Sequence, residues 1–485
     1  MNYRVVFNLI GKVLLVEAVL LLFPLITSLV YAEYGVATAF AITAAGTLAI
    51  GLPLTFFLKP KEQYLYAKEG IMVTSLAWIV MSLVGAVPFV ICREIPSFVD
   101  ALFEIVSGFT TTGASILNDV EALSHGTLFW RSFSHWIGGM GVLVFLLAVV
   151  NRNNRSMHIL RAEMPGPTVD KLVPKAKRTA LYLYAIYIVL TLVLAVMLWC
   201  GEMNFFEAIV HAFGTAGTGG FGIKNSSLGG YSVYSQWVIA IFMLIFGVNF
   251  NLYFLLILGK VTSVLRNSEI WVYIGVVVAS VTVITINIYS QYESVATSLR
   301  HSTFQVAAIM STTGYSTANF DNWPAVSKAI LFILMMVGGC AGSTAGGFKL
   351  TRVIILFKKI GNDLKKALHP RTATVVKIGG EKVSDETISG VTSYLAIYVL
   401  IFLAVFLILS CDPNVPQANA IETNLTASAA AFNNIGPGFA AVGPTCSFAF
   451  YSPLSKIVLI FAMLLGRLEI YPILLTLSPS TWIKR

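Results

Sequence analysis

Charge is what this chain has least of. Of its 485 residues only 11% are Asp, Glu, Lys or Arg, while hydrophobic residues reach 57% and mean hydropathy is +0.80; a soluble domain carries roughly 25% charged residues. So few charges cannot solvate a whole surface, and many apolar runs reach the ~20 residues that cross a bilayer. The five cysteines, Cys92, Cys200, Cys340, Cys411 and Cys446, are scattered without CxxC spacing. This argues against a disulfide framework or a zinc site and leaves them as small apolar fillers. No HExxH pair, no Walker A sequence and no GxGxxG in a soluble βαβ setting occurs, so the chain is not expected to hydrolyse ATP itself. His135 and His211 lack a nearby nucleophile, which disfavours an intramembrane enzyme. A solute symporter would show a pair of broken helices in inverted halves. The expectation is a polytopic membrane protein without enzymatic activity.

The formal net charge of +9 raises nucleic acid as a partner, but the cations are distributed by topology. Ten spans can be drawn, near 5–30, 36–58, 70–92, 127–150, 178–200, 231–259, 270–290, 325–357, 389–411 and 453–477. Loops after even-numbered spans hold Lys59, Lys61 and Lys68, a run from Arg152 to Arg178, Lys260 and Arg266, and a run from Lys358 to Lys382. Opposite loops carry few cations beside Glu94, Asp100, Asp119, Glu202, Asp321 and Asp412. Both termini are therefore expected to be cytoplasmic, and no nucleic-acid partner is expected. The first span resembles a signal peptide but is too long, carries Lys12 and Glu17, and runs directly into a second span, so it reads as a retained helix.

Four short polar segments interrupt the apolar sequence: TTTGAS at Thr110–Ser115, GTGGFG at Gly217–Gly222, STTGYS at Ser311–Ser316 and NNIGPG at Asn433–Gly438. Backbone that leaves the helix at membrane depth must be buried in protein or line water. Each segment follows a short apolar stretch (DALFEIVSGF, NFFEAIVHAF, STFQVAAIM and, more weakly, ETNLTASAAAF) that suits a half-helix. Glu104 and Glu207 are placed near half-helix starts, where the dipole favours an acid. After two leading helices (1–69), four units follow at 70–150, 151–269, 270–388 and 389–485. The fold class is all-α: two leading helices plus four parallel helix–loop–helix repeats around a pseudo-fourfold pore.

Oxygen atoms must replace the hydration shell of a monovalent cation if it is to pass dehydrated. Extended backbone supplies them where one residue takes φ > 0, which glycine does at no steric penalty. The candidate potassium ligands are Thr111, Thr112 and Gly113; Thr218, Gly219 and Gly220; Thr312, Thr313 and Gly314; and Asn434, Ile435 and Gly436. One glycine per repeat implies fewer ordered ion sites than a TVGYG loop provides.

On TTTGAS, GGFG, STTGYS and NNIGPG the chain resembles the TrkH family, transmembrane subunits of the bacterial Trk potassium-uptake system, in a superfamily with KtrB and the plant HKT proteins. The resemblance covers essentially the whole chain. It implies a bacterial inner-membrane homodimer, potassium as the transported ion, and a cytosolic TrkA-like nucleotide-binding partner docking on the basic loops, chiefly 151–178 and 358–387. All four filter glycines favour potassium; a sodium-permeable or weakly selective member of the same superfamily is the alternative. The second loop departs from the pattern, with three or four extra residues between Glu207 and Gly220.

Two features lie at depth. Gly338–Lys349 (GGCAGSTAGGFK) places Gly338, Gly339, Gly342, Gly346 and Gly347 inside one expected span, where helix is costly. Close packing through small residues is one reading; the resemblance favours an unwound gating loop beneath the filter. Arg467 sits about ten residues before the end of the last span, or ~15 Å from the cytoplasmic face, too deep for easy snorkelling. Glu469 lies on another side of that helix and is a poor partner. The resemblance places Arg467 in the pore against the glycine loop; a salt bridge to another helix is the alternative.

Overall fold

The computed structural model describes residues 2–59, 67–141, 176–371, 374–379 and 381–482. Apart from one small hairpin, Lys377–Ile378 with Glu381–Lys382, the regular structure among these residues is helical. The leading pair comprises α1 (Tyr3–Leu20), continued by α2 (Leu22–Val30), and α3 (Tyr34–Phe57). The first unit is α4 (Ala67–Ile91), α5 (Phe98–Phe109) and α6 (His125–Met140). The second is α7 (Ala176–Trp199), α8 (Phe205–Ala216), α9 (Val233–Phe246) and α10 (Phe250–Ile257). The third is α11 (Ser268–Tyr292), α12 (Val295–Met310), α13 (Ala325–Val337) and α14 (Leu350–Leu368). The fourth is α15 (Asp385–Ser410), α16 (Ala420–Phe432), α17 (Pro453–Arg467) and α18 (Tyr471–Leu477).

The helix starts explain themselves locally. Ser97, Ser124, Ser232, Ser294 and Ser452 each accept from the backbone N–H three residues on, and Asn204 forms a capping box with Glu207. Each such cap satisfies an otherwise orphaned donor. Glu207 thus sits in the first turn as expected. Glu104 does not: Ser97 starts α5, so Glu104 falls mid-helix and is fully buried.

Among the described residues six helices, or seven counting one bent pair, are long and apolar enough to cross a membrane. They display large apolar side chains such as Val30, Ile286 and Leu400 to the outside, as lipid-facing helices do. The ten expected spans all have helical counterparts, but three are not continuous. The span drawn at 231–259 bends by 88° between α9 and α10. That at 325–357 opens between α13 and α14, as its glycines foretold, and that at 453–477 breaks between α17 and α18, where Glu469 and Ile470 have φ of 58° and 64°. In the first unit α6 ends at Met140, and the rest of the expected span lies outside the described residues. The final helices of the second, third and fourth units therefore break about halfway. The cysteines correct another expectation: only Cys340 is buried.

Each final helix packs between half-helices of successive units: α6 lies against α5 and α8, α9 against α8 and α12, α17 against α16 and α5. That arrangement brings the four half-helices together around one axis.

Candidate ion pathway

All four half-helices end in the same way. The N–H groups of Thr112, Gly219, Thr313 and Ile435 donate to carbonyls five residues back (Ser107, Gly214, Ala308 and Ala430) at 2.9, 2.9, 2.7 and 2.9 Å. Those of Thr111, Thr218, Thr312 and Asn434 donate to the residue three back. This paired termination requires a left-handed residue, for which glycine is the usual choice. Here the positions hold Thr111 (φ 56°), Thr218 (55°), Thr312 (57°) and Asn434 (55°). A β-branched residue there stores about 1–3 kcal/mol of strain and persists only when its surroundings hold it. Two residues further on, Gly113, Gly220, Gly314 and Gly436 take φ of 81°, 81°, 83° and 100°.

The glycines close into a ring. A β-carbon on Gly113 would run into the Gly219 carbonyl oxygen, one on Gly220 into that of Thr313, and one on Gly314 into that of Ile435. One on Gly436 would meet the Thr112 oxygen at 2.9 Å. The order of units is 1–2–3–4 and back to 1, and each glycine abuts the carbonyl before the next unit's glycine. All four glycines line one outer cavity of about 210 Å³. The C-terminal, negative ends of four half-helices face this ring, which lowers the energy of a cation there.

The second unit shares this register. Gly220 follows the left-handed Thr218 by two residues, as in the other units, and α5 and α8 are equally long. The counterpart of Glu104 is His211, not Glu207, so the expected insertion does not exist.

Below the ring lies the chain segment between α13 and α14. Its ends are clamped: the Lys349 N–H donates to Val337 at 3.0 Å and the Leu350 N–H to Gly339 at 3.0 Å. Gly338, Gly342 and Gly347 take φ of 71°, 72° and 82°. The Gly346 N–H donates to Thr312 Oγ1 at 2.6 Å, and side chains at Gly339 and Gly346 would strike Ala345 and the Asn433 carbonyl. Every one of the five loop glycines is thus in a tight or left-handed position. Glu269 at the start of α11 anchors the loop, accepting from the Ala341 N–H at 2.9 Å and from Thr351 Oγ1.

Arg467 occupies the space between ring and loop. Its guanidinium donates to Thr111 Oγ1 (3.2 Å), to the Thr344 carbonyl (2.9 Å) and to the carbonyls of Gly138 and Gly139 (the latter 2.8 Å). It therefore touches the first loop, the intramembrane segment and the end of α6 together. Glu469 pairs instead with Arg352, at 2.6 Å. Among the described residues, the loops do not meet a metal-binding cluster of His, Cys, Asp or Glu; what they offer a cation is main-chain and hydroxyl oxygen.

The family model described as TrkH, cation transport protein, matches residues 37–271 and 254–484. The chain belongs to the TrkH family. The TrkH family's Trk system potassium uptake protein from Salmonella typhimurium is 34% identical over 490 residues, covering 99% of this chain and all of that relative. Its counterpart from Halomonas elongata is 31% identical, with both chains fully covered. The crystal structure of the potassium transporter TrkH from Vibrio parahaemolyticus superposes with a TM-score of 0.88 at 30% identity, again over all of both chains. The two leading helices and the four units around a pseudo-fourfold pore are the fold this chain shares with the TrkH family.

Arg131, which nothing in the sequence singled out, stands behind the ring with His135 and Glu104, whose sequence context suggested other roles. Arg131 and His135, on one face of α6, reach the backs of the first and second loops, and Glu104 meets Arg131. Counting from the α6 cap at Ser124 would have placed both on the inward face.

Proposed function

We propose that this chain carries potassium inward across the cytoplasmic membrane of a bacterium, through a selectivity filter formed by the four glycine loops. The observation that carries this reading is the closed ring, in which each glycine leans on the neighbouring unit's carbonyl, so main-chain oxygens from all four units converge on one axis. Thr111, Thr112, Gly113, Thr218, Gly219, Gly220, Thr312, Thr313, Gly314, Asn434, Ile435 and Gly436 supply the potassium ligands. Potassium is the transported ion, as the names of the relatives have it for those proteins, and it moves down the membrane potential, worth ~2.3 kcal/mol per charge per 100 mV.

Arg467 and the loop with Gly338, Gly339, Gly342, Gly346 and Gly347 act as the gate. A fixed guanidinium raises the energy of a cation leaving the ring by about 2–3 kcal/mol for unit charges ~6–8 Å apart at an effective dielectric of ~20. Passage requires Arg467 and the loop to move aside together, since Thr344 holds one to the other. The handle for that motion is α14, which continues from the loop and carries Lys358, Lys359, Lys365 and Lys366. A cytosolic TrkA-like nucleotide-binding subunit pulls on this helix and on the basic loop at 151–178, of which 151–175 lie outside the described residues. Both termini are cytoplasmic, and the working unit is a homodimer.

Purified protein in sealed vesicles tests the reading. Under an inward potassium diffusion gradient, rubidium uptake is expected and sodium uptake is expected to be much slower. Equal sodium and rubidium fluxes would turn the reading into a weakly selective cation pathway, and no flux of either would remove it.

A further inference from the structure

At two matching positions on the final helices that back the ring, three units carry apolar side chains and one does not. Seven residues before the left-handed residue of each loop stand Glu104, His211, Gln305 and Ala427. The final helices can be aligned on their caps, Ser124, Ser232, Pro324 and Ser452. Seven residues past the cap come Arg131, Ile239, Leu331 and Leu459, and eleven past it His135, Met243, Met335 and Met463. All eight are buried. Units two, three and four thus repeat an aliphatic residue and a methionine, where the first unit has an arginine and a histidine.

These two side chains tie the first loop to the second. Glu104 Oε1 accepts from Arg131 Nε at 2.8 Å and Nη2 at 2.7 Å, with the pair 0% and 2% exposed. Glu104 Oε2 accepts from the Ile116 N–H at 3.0 Å, and Ser115 Oγ donates to both carboxylate oxygens. The carboxylate therefore holds the chain just beyond Gly113. Across the seam, Arg131 lies 4.1 Å from the Phe221 ring and Nη1 donates to the Gly222 carbonyl at 3.4 Å. One turn along, His135 Nδ1–H donates to the Gly108 carbonyl at 2.8 Å, while Nε2 accepts from the Phe221 N–H at 3.3 Å. Only the neutral Nδ1–H tautomer makes both bonds.

A buried ion pair is poor value for stability, because removing two charges from water offsets their attraction, and an apolar pair of similar volume does as well or better. The fourth unit, with Ala427 and Leu459 at the matching positions, shows that this backbone accepts the apolar solution. What the polar group adds is direction: fixed hydrogen bonds to named backbone atoms on both sides of one seam. In the size-fit account of discrimination between potassium and sodium, ligand oxygens are held so that they do not draw in around the smaller ion.

We propose that Glu104, Arg131 and His135 are positioning residues that fix the first and second loops at potassium spacing, so that ion selectivity is controlled at this one seam. The inference rests on the proposed potassium function and deepens it. Arg131 also edges the outer cavity, and Glu104 cancels the charge it would otherwise present to an incoming cation.

The test is the double substitution Glu104→Ala with Arg131→Leu, which recreates the Ala427/Leu459 pair of the fourth unit and leaves no orphaned charge. Thermal stabilisation of the purified protein by potassium chloride and by sodium chloride reads selectivity without depending on flux. Reversal potentials in planar bilayers give the permeability ratio. The potassium-over-sodium preference is expected to fall at least tenfold in the double variant, with Glu104→Gln intermediate. A folded double variant with the wild-type preference would overturn the proposal. So would a double variant that cannot be purified folded, since that assigns the pair to stability. If the wild-type protein itself shows no potassium preference, the proposed function fails first; if wild type prefers potassium and the double variant does so equally, this inference alone fails.

Discussion

At the level of the ring the four units are near copies; one layer below, no two are alike. Above, each half-helix ends with the same pair of hydrogen bonds, a left-handed residue at the same place and a glycine two positions on. Below, the first unit's final helix stops at Met140, the second bends by 88°, the third opens into a loop and the fourth breaks after Arg467. On the proposed function, the difference follows from what each layer must do. A dehydrated cation on an axis is best served by equivalent oxygens from all sides. In the proposed gate the third unit supplies the loop and the fourth supplies Arg467, and nothing requires the other two units to repeat either. The two layers meet at the left-handed residues: Thr111 and Thr312 present their hydroxyls downward to Arg467 and Gly346.

Substitutions can break the likeness of the upper layer. Gly314→Ala puts a methyl group into the Ile435 carbonyl at φ 83°, so rubidium uptake by vesicles is expected to fall ~100-fold or more, strain of about 1–3 kcal/mol adding to the collision. Gly436→Ala is expected to cost less, about tenfold, because its nearest obstacle stands at 2.9 Å. Equal losses at both would mean that the ring is more regular in function than in geometry.

The lower layer is probed by removal. Arg467→Ala is expected to raise potassium flux on the order of tenfold, less than the full ~2–3 kcal/mol charge barrier would give, because the intramembrane loop still stands in the path. Unchanged or reduced flux in folded protein would take the gate role from this residue. A smaller effect comes from the joint between layers. Thr312→Val deletes the acceptor for the Gly346 N–H, a bond worth ~0.5–1.5 kcal/mol. Basal flux should rise two- to tenfold while ion preference stays; a change in preference with no change in flux would mean that the joint shapes the ring instead.

The regular layer was legible in the sequence and the irregular one only in part. TTTGAS and STTGYS were legible because they recur at matching places in the chain; either alone would fit a helix kink or close packing. NNIGPG is less alike, yet Asn434 takes the same left-handed turn as Thr111, asparagine being a residue that tolerates it. Gly338–Gly347 was visible as an interruption because glycines crowd there. The bend at Gly247–Asn249 was not, since FGVNFN carries one glycine and the break is stabilised from afar, by Cys340 and Gly342 bonding to Gly247 and Phe250. Arg467 stood out by depth alone. Glu104 was misplaced by assuming that an acid marks a helix start, although the Ser-Phe-Val-Asp cap lay seven residues earlier. The departure of Arg131 and His135 from Ile/Leu and Met appears only when four helices are aligned by their caps.

The central claim is that the four loops hold a dehydrated potassium ion on their common axis. Anomalous scattering from crystals soaked in rubidium or thallium tests it most directly. A peak on the axis at the level of the carbonyls of Thr112, Gly219, Thr313 and Ile435, lost when sodium replaces the heavier ion, is the predicted result. A ring without a peak in saturating rubidium, or peaks confined to the outer cavity, would contradict it.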